Sequence, residues 1–371
     1  MRLLVCPDKF RGTLTARQAA EAFETGWRRV RPNDDLVLLP MADGGEGTLE
    51  ALLGGPGDRR LTVPATGPLG DQIRADLGLM GDGTAVVEMA RAAGLGLLDP
   101  ARRDPRRTTT RGVGDLLRAA LGGGARRLLV SLGGSATNDG GVGMARALGA
   151  RFLDGAGAEI GEGGAALLSL ARIDLTPLDP RVPRVEVVGL TDVDSPLCGP
   201  TGASVVFGLQ KGASPDHVRL LDGALGHLAA VVNRDLGVDL AHEPGAGAAG
   251  GLGFGLMAFL GARLRPGAVA VADALGLEER LTAADLVVTG EGAFDETSRH
   301  GKVVGTVLGL AELARTPVVV VCGRAECRPE GVEVVSLTEE VGEEAALGDA
   351  RHAVEAAAAG LATRVGERVA R

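Results

Sequence analysis

The sequence predicts an α/β protein: a parallel-sheet domain assembled from both ends of the chain, with a second, mixed α/β domain inserted between them. Three observations predict it. Both terminal regions alternate short apolar runs with stretches of helical period, the pattern of strand–helix–strand units. Between them, alternating segments at residues 61–66, 72–80 and 84–89 are separated by Gly, Pro and Asp turns, as in an antiparallel meander. Glycine makes up 59 of 371 residues, without a collagen period, and clusters directly after the apolar runs. In open parallel sheets, loops at strand C-terminal ends form the ligand crevice. The joins fall near residues 60 and 265, giving a terminal domain of residues 1–60 plus 265–371 and an inserted domain of residues 61–264.

The elements follow in order. Residues 3–6 read as a short buried strand. A helix capped by Thr13 or Thr15 runs to about Arg29, with Ala19, Ala22, Phe23, Trp27 and Val30 at helical spacing. Residues 36–39 are the next strand, leading into a glycine loop and a short helix. After the meander come a helix at 114–121, a strand at 127–132, a glycine cluster at 133–141 and a helix to about Leu148. A strand at 185–190 ends in Thr191-Asp192-Val193-Asp194, residues 215–236 are a helix, and another begins near Leu252. Clean alternation then resumes, with strands at 285–289, 317–322 and 332–337 and helices after Lys302 and from Asp349.

Apolar residues are 45% of the chain and charged residues 23%, enough for full cores and against disorder. A net charge of −9 opposes a nucleic-acid or anionic-membrane surface. It leaves room for an anionic small substrate, which needs only a few local cations and amides. The densest apolar stretch, residues 252–262, is too short and glycine-laden to span a bilayer, and no signal peptide is expected. Cys6, Cys198, Cys322 and Cys327 have neither C-x-x-C nor zinc spacing, so reduced thiols in a cytoplasmic protein are expected. Of 39 basic residues only Lys9, Lys211 and Lys302 are lysines, each close to glycine in a loop-like segment. Where arginine has replaced lysine almost everywhere, Lys211 and Lys302 read as positions that need a compact ammonium, or else as chance survivors beside common glycines.

Five constellations can carry chemistry. Asp43 and Glu46, with Gly44 and Gly45, stand in a glycine loop beyond a strand, where carboxylates hold Mg²⁺ or orient a hydroxyl. Ser135, Thr137, Asn138 and Asp139 lie between two glycine pairs and suit a phosphate or small carboxylate, or else a capped helix start. Asp192 and Asp194 precede Gln210-Lys211-Gly212, an acid and a base for a proton acceptor or metal ligand and a phosphate counter-charge. Gly245-x-Gly247-x-x-Gly250 matches the dinucleotide pattern but lacks the required preceding strand. It reads as an anion cradle at a helix start or as tight helix packing. The densest polar loop is Thr289-Gly290-Glu291-Gly292, continuing through Asp295, Ser298, Arg299 and His300 to Gly301-Lys302.

The order of these motifs resembles the glycerate kinase type-1 family. The matching pieces are Pro7-Asp8-x-Phe10-x-Gly12, Pro40-Met41-Ala42-Asp43-Gly44-Gly45-Glu46-Gly47-Thr48, Gly133-Gly134-Ser135-Ala136-Thr137-Asn138-Asp139-Gly140-Gly141, Asp192-Val193 with Pro196-Leu197, Val206-Phe207-Gly208-x-Gln210-Lys211-Gly212-Ala213, Gly245-Ala246-Gly247-Ala248-Ala249-Gly250-Gly251-Leu252-Gly253, and Thr289-Gly290-Glu291-Gly292-x-x-Asp295 with Gly301-Lys302. The resemblance implies ATP- and Mg²⁺-dependent phosphorylation of D-glycerate, with 2-phosphoglycerate the usual product and 3-phosphoglycerate the alternative. It implies a flavodoxin-like domain, an inserted domain likened to restriction enzymes, and an active site in the cleft between them.

On this reading Asp43, Asp192, Lys211 and Lys302 are the candidate catalytic residues. Arg11, Gly44, Gly45, Ser135, Asn138, Asp139, Gly247, Gly250, Gly290 and Asp295 would bind substrate or phosphate, and Glu46 and Glu291 the metal. The chain departs from the family at Lys9-Phe10-Arg11, where members usually read Ser-Phe-Lys, and at Thr191, Leu209 and Ala293. Lys9, at a non-family position beside Arg11, is expected to tolerate arginine. From the residues alone, two other readings stay open: a nicotinamide-dependent dehydrogenase of a small hydroxy acid, and a non-catalytic organic-acid-binding domain. No nucleic-acid or membrane partner is expected, and a homo-oligomer is left open.

Overall fold

The computed structural model describes residues 1–299 and 301–369, apart from the side chains of Arg299, Arg368 and Val369. The chain divides into two compact units, one of residues 1–43, 50–52 and 266 onward, the other of residues 44–49 and 53–265. The first passage thus lies ahead of residue 60, because the change of texture at Arg59 marks the start of a strand within the second unit. The strands are β1 (Arg2–Val5), β2 (Asp35–Leu38), β3 (Arg59–Thr66), β4 (Gln72–Leu79), β5 (Thr84–Glu88), β6 (Arg127–Ser131), β7 (Arg151–Leu153), β8 (Arg172–Asp174), β9 (Glu186–Leu190), β10 (Arg263–Arg265), β11 (Leu286–Phe294), β12 (Val318–Ala325) and β13 (Glu333–Ser336).

The first unit holds a parallel sheet in the order β2-β1-β11-β12-β13. Counting only its own strands, that is 2-1-3-4-5, the flavodoxin-like order that the family resemblance implies. Leu3 pairs with Leu36 on one side and Leu286 on the other. One face packs on the helices Ala16–Arg28 and Ala350–Val369 through Leu3, Val5, Phe23, Trp27, Val288 and Leu361. The first helix starts with the expected cap: Thr15 Oγ1 accepts from Gln18 N at 3.2 Å, and Thr15 N donates to Gln18 Oε1 at 2.9 Å. Trp27 is wholly buried, and its indole N–H donates to Asp34 at 3.1 Å. Strand order reverses between β1 and β11, the place where open parallel sheets bind their ligands.

The second unit holds a six-stranded sheet in the order β10-β9-β6-β5-β4-β3. The expected meander is present, with β3–β4 and β4–β5 antiparallel. The other neighbours are parallel, so the sheet is mixed. Its core includes Met89, Leu116, Val130, Leu228 and Phe254, with Phe152 edge-on to Phe259 at 5.2 Å. Strand β10 was not legible in sequence, because three residues of Arg-Leu-Arg carry no periodicity.

One expected loop is a strand. Residues 290–294 continue β11 and pair with β12, Glu291 opposite Cys322 and Ala293 opposite Arg324. A side chain at Gly290 would overlap Val321 O, and one at Gly323 would overlap Gly292 O. The glycines that suggest a loop therefore serve a close approach of two strands.

Gly26 makes the same point for helices, since a Cβ there would overlap the Glu355 carbonyl on the C-terminal helix. Gly26→Ala should destabilise the fold by about 2–3 kcal/mol through overpacking. Gly309→Ala, in an exposed helix position with open space around it, should stabilise by up to about 1 kcal/mol. Urea midpoints of the two variants measured together check both signs.

Candidate active site

At the carboxyl end of the first unit's sheet, three segments gather acids. Asp8 follows β1, and its amide donates to Gly290 O at 2.8 Å. The segment after β2 is tied alongside by Leu39 N to Val5 O at 2.8 Å and Met41 N to Pro7 O at 2.9 Å, and it ends at Asp43. Lys9 Nζ lies 3.7 Å from Asp43 Oδ1. Burial, then the charge of Asp43, pushes the Asp8 carboxyl up to about 7, with Glu291 adding to the rise and Lys9 opposing it. Glu291, on β11, is also raised, first by burial, while Ser298 and Lys302 pull it down. Its Oε1 is buried without a hydrogen-bond partner. Lys302 stands at the start of the helix Val303–Ala314 and donates to Thr297 Oγ1 at 3.1 Å.

In the second unit, two glycine loops meet backbone to backbone. A Cβ on Gly133 would sit 2.8 Å from Gly45 Cα, and one on Gly134 3.2 Å from Glu46 Oε1. Gly44 and Gly47 take φ of 83° and 98°, a region closed to most side chains. Lys211 lies beneath the second loop, 3% exposed, and donates to Thr137 O at 2.7 Å and Ser135 Oγ at 3.2 Å. Burial lowers its pKa to about 7, opposed by the charge of Asp139. Asn138 is fully buried, and its Nδ2 donates to Ser204 Oγ at 3.0 Å while its Oδ1 has no partner.

Several sequence-predicted residues are thereby placed differently from expectation. Asp139 Oδ2 accepts from Thr110 N at 2.8 Å, Thr110 Oγ1 at 2.9 Å and Gly143 N at 3.2 Å, and Oδ1 from Gly141 N at 3.2 Å. With its oxygens so occupied, it shapes the loop and does not face a ligand. Asp295 Oδ1 likewise accepts from Thr297 Oγ1 at 2.6 Å, Ser298 N at 2.9 Å and Ser298 Oγ at 3.1 Å. The Thr297 bond leads in holding its carboxyl down to about 2. Lys211 is a buried support of the loop and not a displayed cation.

A side chain at Gly250 would overlap Thr137 O, and one at Gly247 would overlap Pro196 O. Ala249, Gly250 and Gly251 interrupt the helix Ala248–Leu260 with φ of 53°, 70° and 87°. Turns, not a strand, precede them. Close packing explains this motif, and the dinucleotide context is missing. Arg11 and Asp192 are exposed, Asp192 in the loop after β9. His300 and the side chain of Arg299 lie outside the described residues. Asp8 was missed by the sequence reading; the available signal was an acid directly after the first strand, beside the point where strand order reverses.

Residues 3–371 match a family profile described as "Glycerate kinase family". The chain is 48% identical over 326 residues to a glycerate kinase of Bacillus subtilis (strain 168), spanning 88% of this chain and 85% of that one. It is 45% identical over 343 residues to the glycerate 2-kinase of Escherichia coli (strain K12), spanning 92% and 87%. A crystal structure of a protein described as glycerate kinase 2 from Salmonella typhimurium LT2 matches with a TM-score of 0.91 at 42% identity, over the whole of both chains.

The buried Lys211 makes stability depend on pH. Its ordinary pKa of 10.5 falls to about 7 in the fold, so between those values the unfolded chain holds a proton that the folded chain does not. Stability from this group must therefore rise with pH from about 7 towards 10. Melting temperatures of wild type and Lys211→Met from pH 6 to 10 test this: the wild type should gain relative to the variant as pH rises. Parallel curves would mean that Lys211 stays protonated throughout.

Proposed function

The chain belongs to the glycerate kinase family, and from that premise we propose that it transfers the γ-phosphoryl group of ATP to the 2-hydroxyl of D-glycerate, giving 2-phosphoglycerate. The choice of hydroxyl is supported by the E. coli relative, which is named a glycerate 2-kinase. The observation that carries the reading is the cluster of Asp8, Asp43 and Glu291 with Lys9 and Lys302 at the carboxyl end of the parallel sheet. Phosphoryl transfer asks a protein for positioning and charge neutralisation more than for covalent chemistry.

In this reading Asp43 aligns the acceptor hydroxyl and takes its proton as the oxygen–phosphorus bond forms. Lys302 meets negative charge on the transferring group, and Asp192 and Glu46 serve as further acids. The loop at residues 133–141 binds through its backbone amides. Asn138 Oδ1, a buried acceptor with no protein donor, suits a ligand hydroxyl. Leaving such an atom unpaired costs roughly 1–3 kcal/mol, which a bound donor offsets.

The acids also fit a divalent cation. Three carboxylates share two lysines, one carboxyl is pushed up by burial and then by its like-charged neighbours, and Glu291 Oε1 lacks a partner. No group of three His, Cys, Asp or Glu among the described residues forms a metal cage. Mg²⁺ is usually held by one or two carboxylates together with substrate phosphates. Glu291 would hold it, and it would neutralise phosphate charge.

The dehydrogenase and binding-only readings fall away, since the family is one of kinases and residues 245–250 serve packing. No helix of the described residues is long and apolar enough to cross a membrane. The four cysteines are free thiols and fit a reducing compartment, so we place the protein in the cytoplasm.

A coupled ADP-release assay with D-glycerate, followed by phosphorus NMR of the product, tests the reading. The expected product is 2-phosphoglycerate; a 3-phosphoglycerate signal would overturn the regiochemistry and leave the kinase intact. Asp43→Asn and Glu291→Gln should each lower kcat by roughly 10²-fold. Lys302→Arg should lower kcat/KM by about 10-fold, equivalent to about 1.4 kcal/mol. Chelation should abolish turnover, and Mg²⁺ should restore it with a higher requirement in Glu291→Gln.

A further inference from the structure

We propose that Glu88 is a positioning residue for phosphoryl transfer, acting from β5 to hold the first glycine loop of the second unit in its working form. The proposal rests on the reading that residues 44–48 take part in the reaction. Glu88 is the last residue of β5 and only 2% exposed. Its Oε1 accepts from two backbone amides, Gly47 N and Leu49 N, both at 2.9 Å. Its Oε2 accepts from Arg91 Nε at 2.6 Å, and Arg91 NH1 lies 3.8 Å from Asp76.

The helix Thr48–Leu52 explains why this bond is needed. Its N-cap is Gly47, which has no side chain to satisfy the first amides. Glycine is required there by a φ of 98°. The cap therefore arrives from a strand some forty residues away in sequence, as a carboxylate that also complements the positive helix end. The neighbours Val86, Val87 and Met89 are wholly buried and apolar. A carboxylate among them would be costly were its oxygens not bound on both sides.

Pinning Gly47 and Leu49 also pins what precedes them. Gly45 is the backbone against which Gly133 rests, and Glu46 Oε1 lies close to Gly134. Thr48 Oγ1 donates to Gly45 O at 2.7 Å and closes the turn. Glu88 thus holds the first loop directly and sets the seat of the second. It has no geometric route to the reacting atoms except through these loops.

The experiment compares Glu88→Asp and Glu88→Gln by steady-state kinetics, thermal melts and amide hydrogen exchange. Aspartate keeps the charge for Arg91 but withdraws the acceptor from the two amides. Glutamine keeps the reach and an acceptor but gives up the charge. Small displacements at a reacting centre are costly in rate. Glu88→Asp should therefore lose at least about tenfold in kcat, with faster exchange at Gly47 and Leu49 and a melt within a few degrees of wild type. Glu88→Gln should stay within about threefold.

In the wild type itself, the Gly47 and Leu49 amides should be as protected as those of β5; free exchange there would overturn the proposal even if Glu88→Asp fails to fold. Wild-type kcat in Glu88→Asp despite faster exchange would also overturn it, as would equal losses in both variants. Asp43→Asn, run alongside, separates the two ideas. Full activity in that variant counts against the underlying reading, whereas an inactive Asp43→Asn with an active Glu88→Asp counts against the role of Glu88 alone.

Discussion

The functional end of the second unit depends on backbone lying directly on backbone. Gly133 rests on Gly45, Gly250 on Thr137, Gly251 on Gly140, and Gly255 on Gly141. At each of these contacts a Cβ would have nowhere to go, so the loops hold one spacing and no other. Chains of glycine are entropically expensive to order. The order must come from outside the loops, and buried polar groups supply it. Glu88 fixes residues 47 and 49, Asp139 fixes residues 141 and 143, and Lys211 fixes residues 135 and 137. Each is buried with its polar groups hydrogen-bonded, loop atoms among the partners, which is how such groups are tolerated in a core.

Hydrogen bonding separates the acids that support loops from those the proposed function uses. Asp139 accepts on both oxygens, and Asp295 Oδ1 accepts from three donors of its own loop. Asp8 and Glu291 differ: their charges are opposed by burial and by each other, and one oxygen has no partner at all. A fold gains nothing from such an arrangement. On the proposed function, like charges gathered at the carboxyl ends of strands, beside the reversal of strand order, would be completed by a cation and an anionic substrate.

Much of this was legible in sequence because it rests on periodicity and turn chemistry. The helix Ala16–Arg28 announced its cap at Thr15, and the meander announced its turns. The glycine loops were legible as loops, with their small polar residues. What each polar residue touches was not. Asp43 and Asp139 look alike in a glycine-rich segment, yet one pairs with Lys9 and the other is enclosed by four donors, three of them backbone amides. Glycines at 290 and 292 read as a turn because composition cannot distinguish a bend from a close approach of strands. Glu88 carried no signal, since the amides it holds lie about forty residues upstream and are backbone atoms.

The three lysines draw these threads together. Their scarcity marked Lys211 and Lys302 as positions where arginine would not serve, but it said nothing about why. Lys211 is buried against two acceptors, a carbonyl and a hydroxyl, which suits a point donor better than a planar fork. Lys302 reaches Thr297 from the start of a helix, in the field of Glu291 and Asp295. Lys9, which the sequence pattern expects to tolerate arginine, lies against Asp43 and opposes the rise of Asp8. Scarcity located all three lysines near the candidate sites, yet their functions differ: one supports a loop, one faces the acids of β11, and one pairs with the acid assigned to the acceptor hydroxyl.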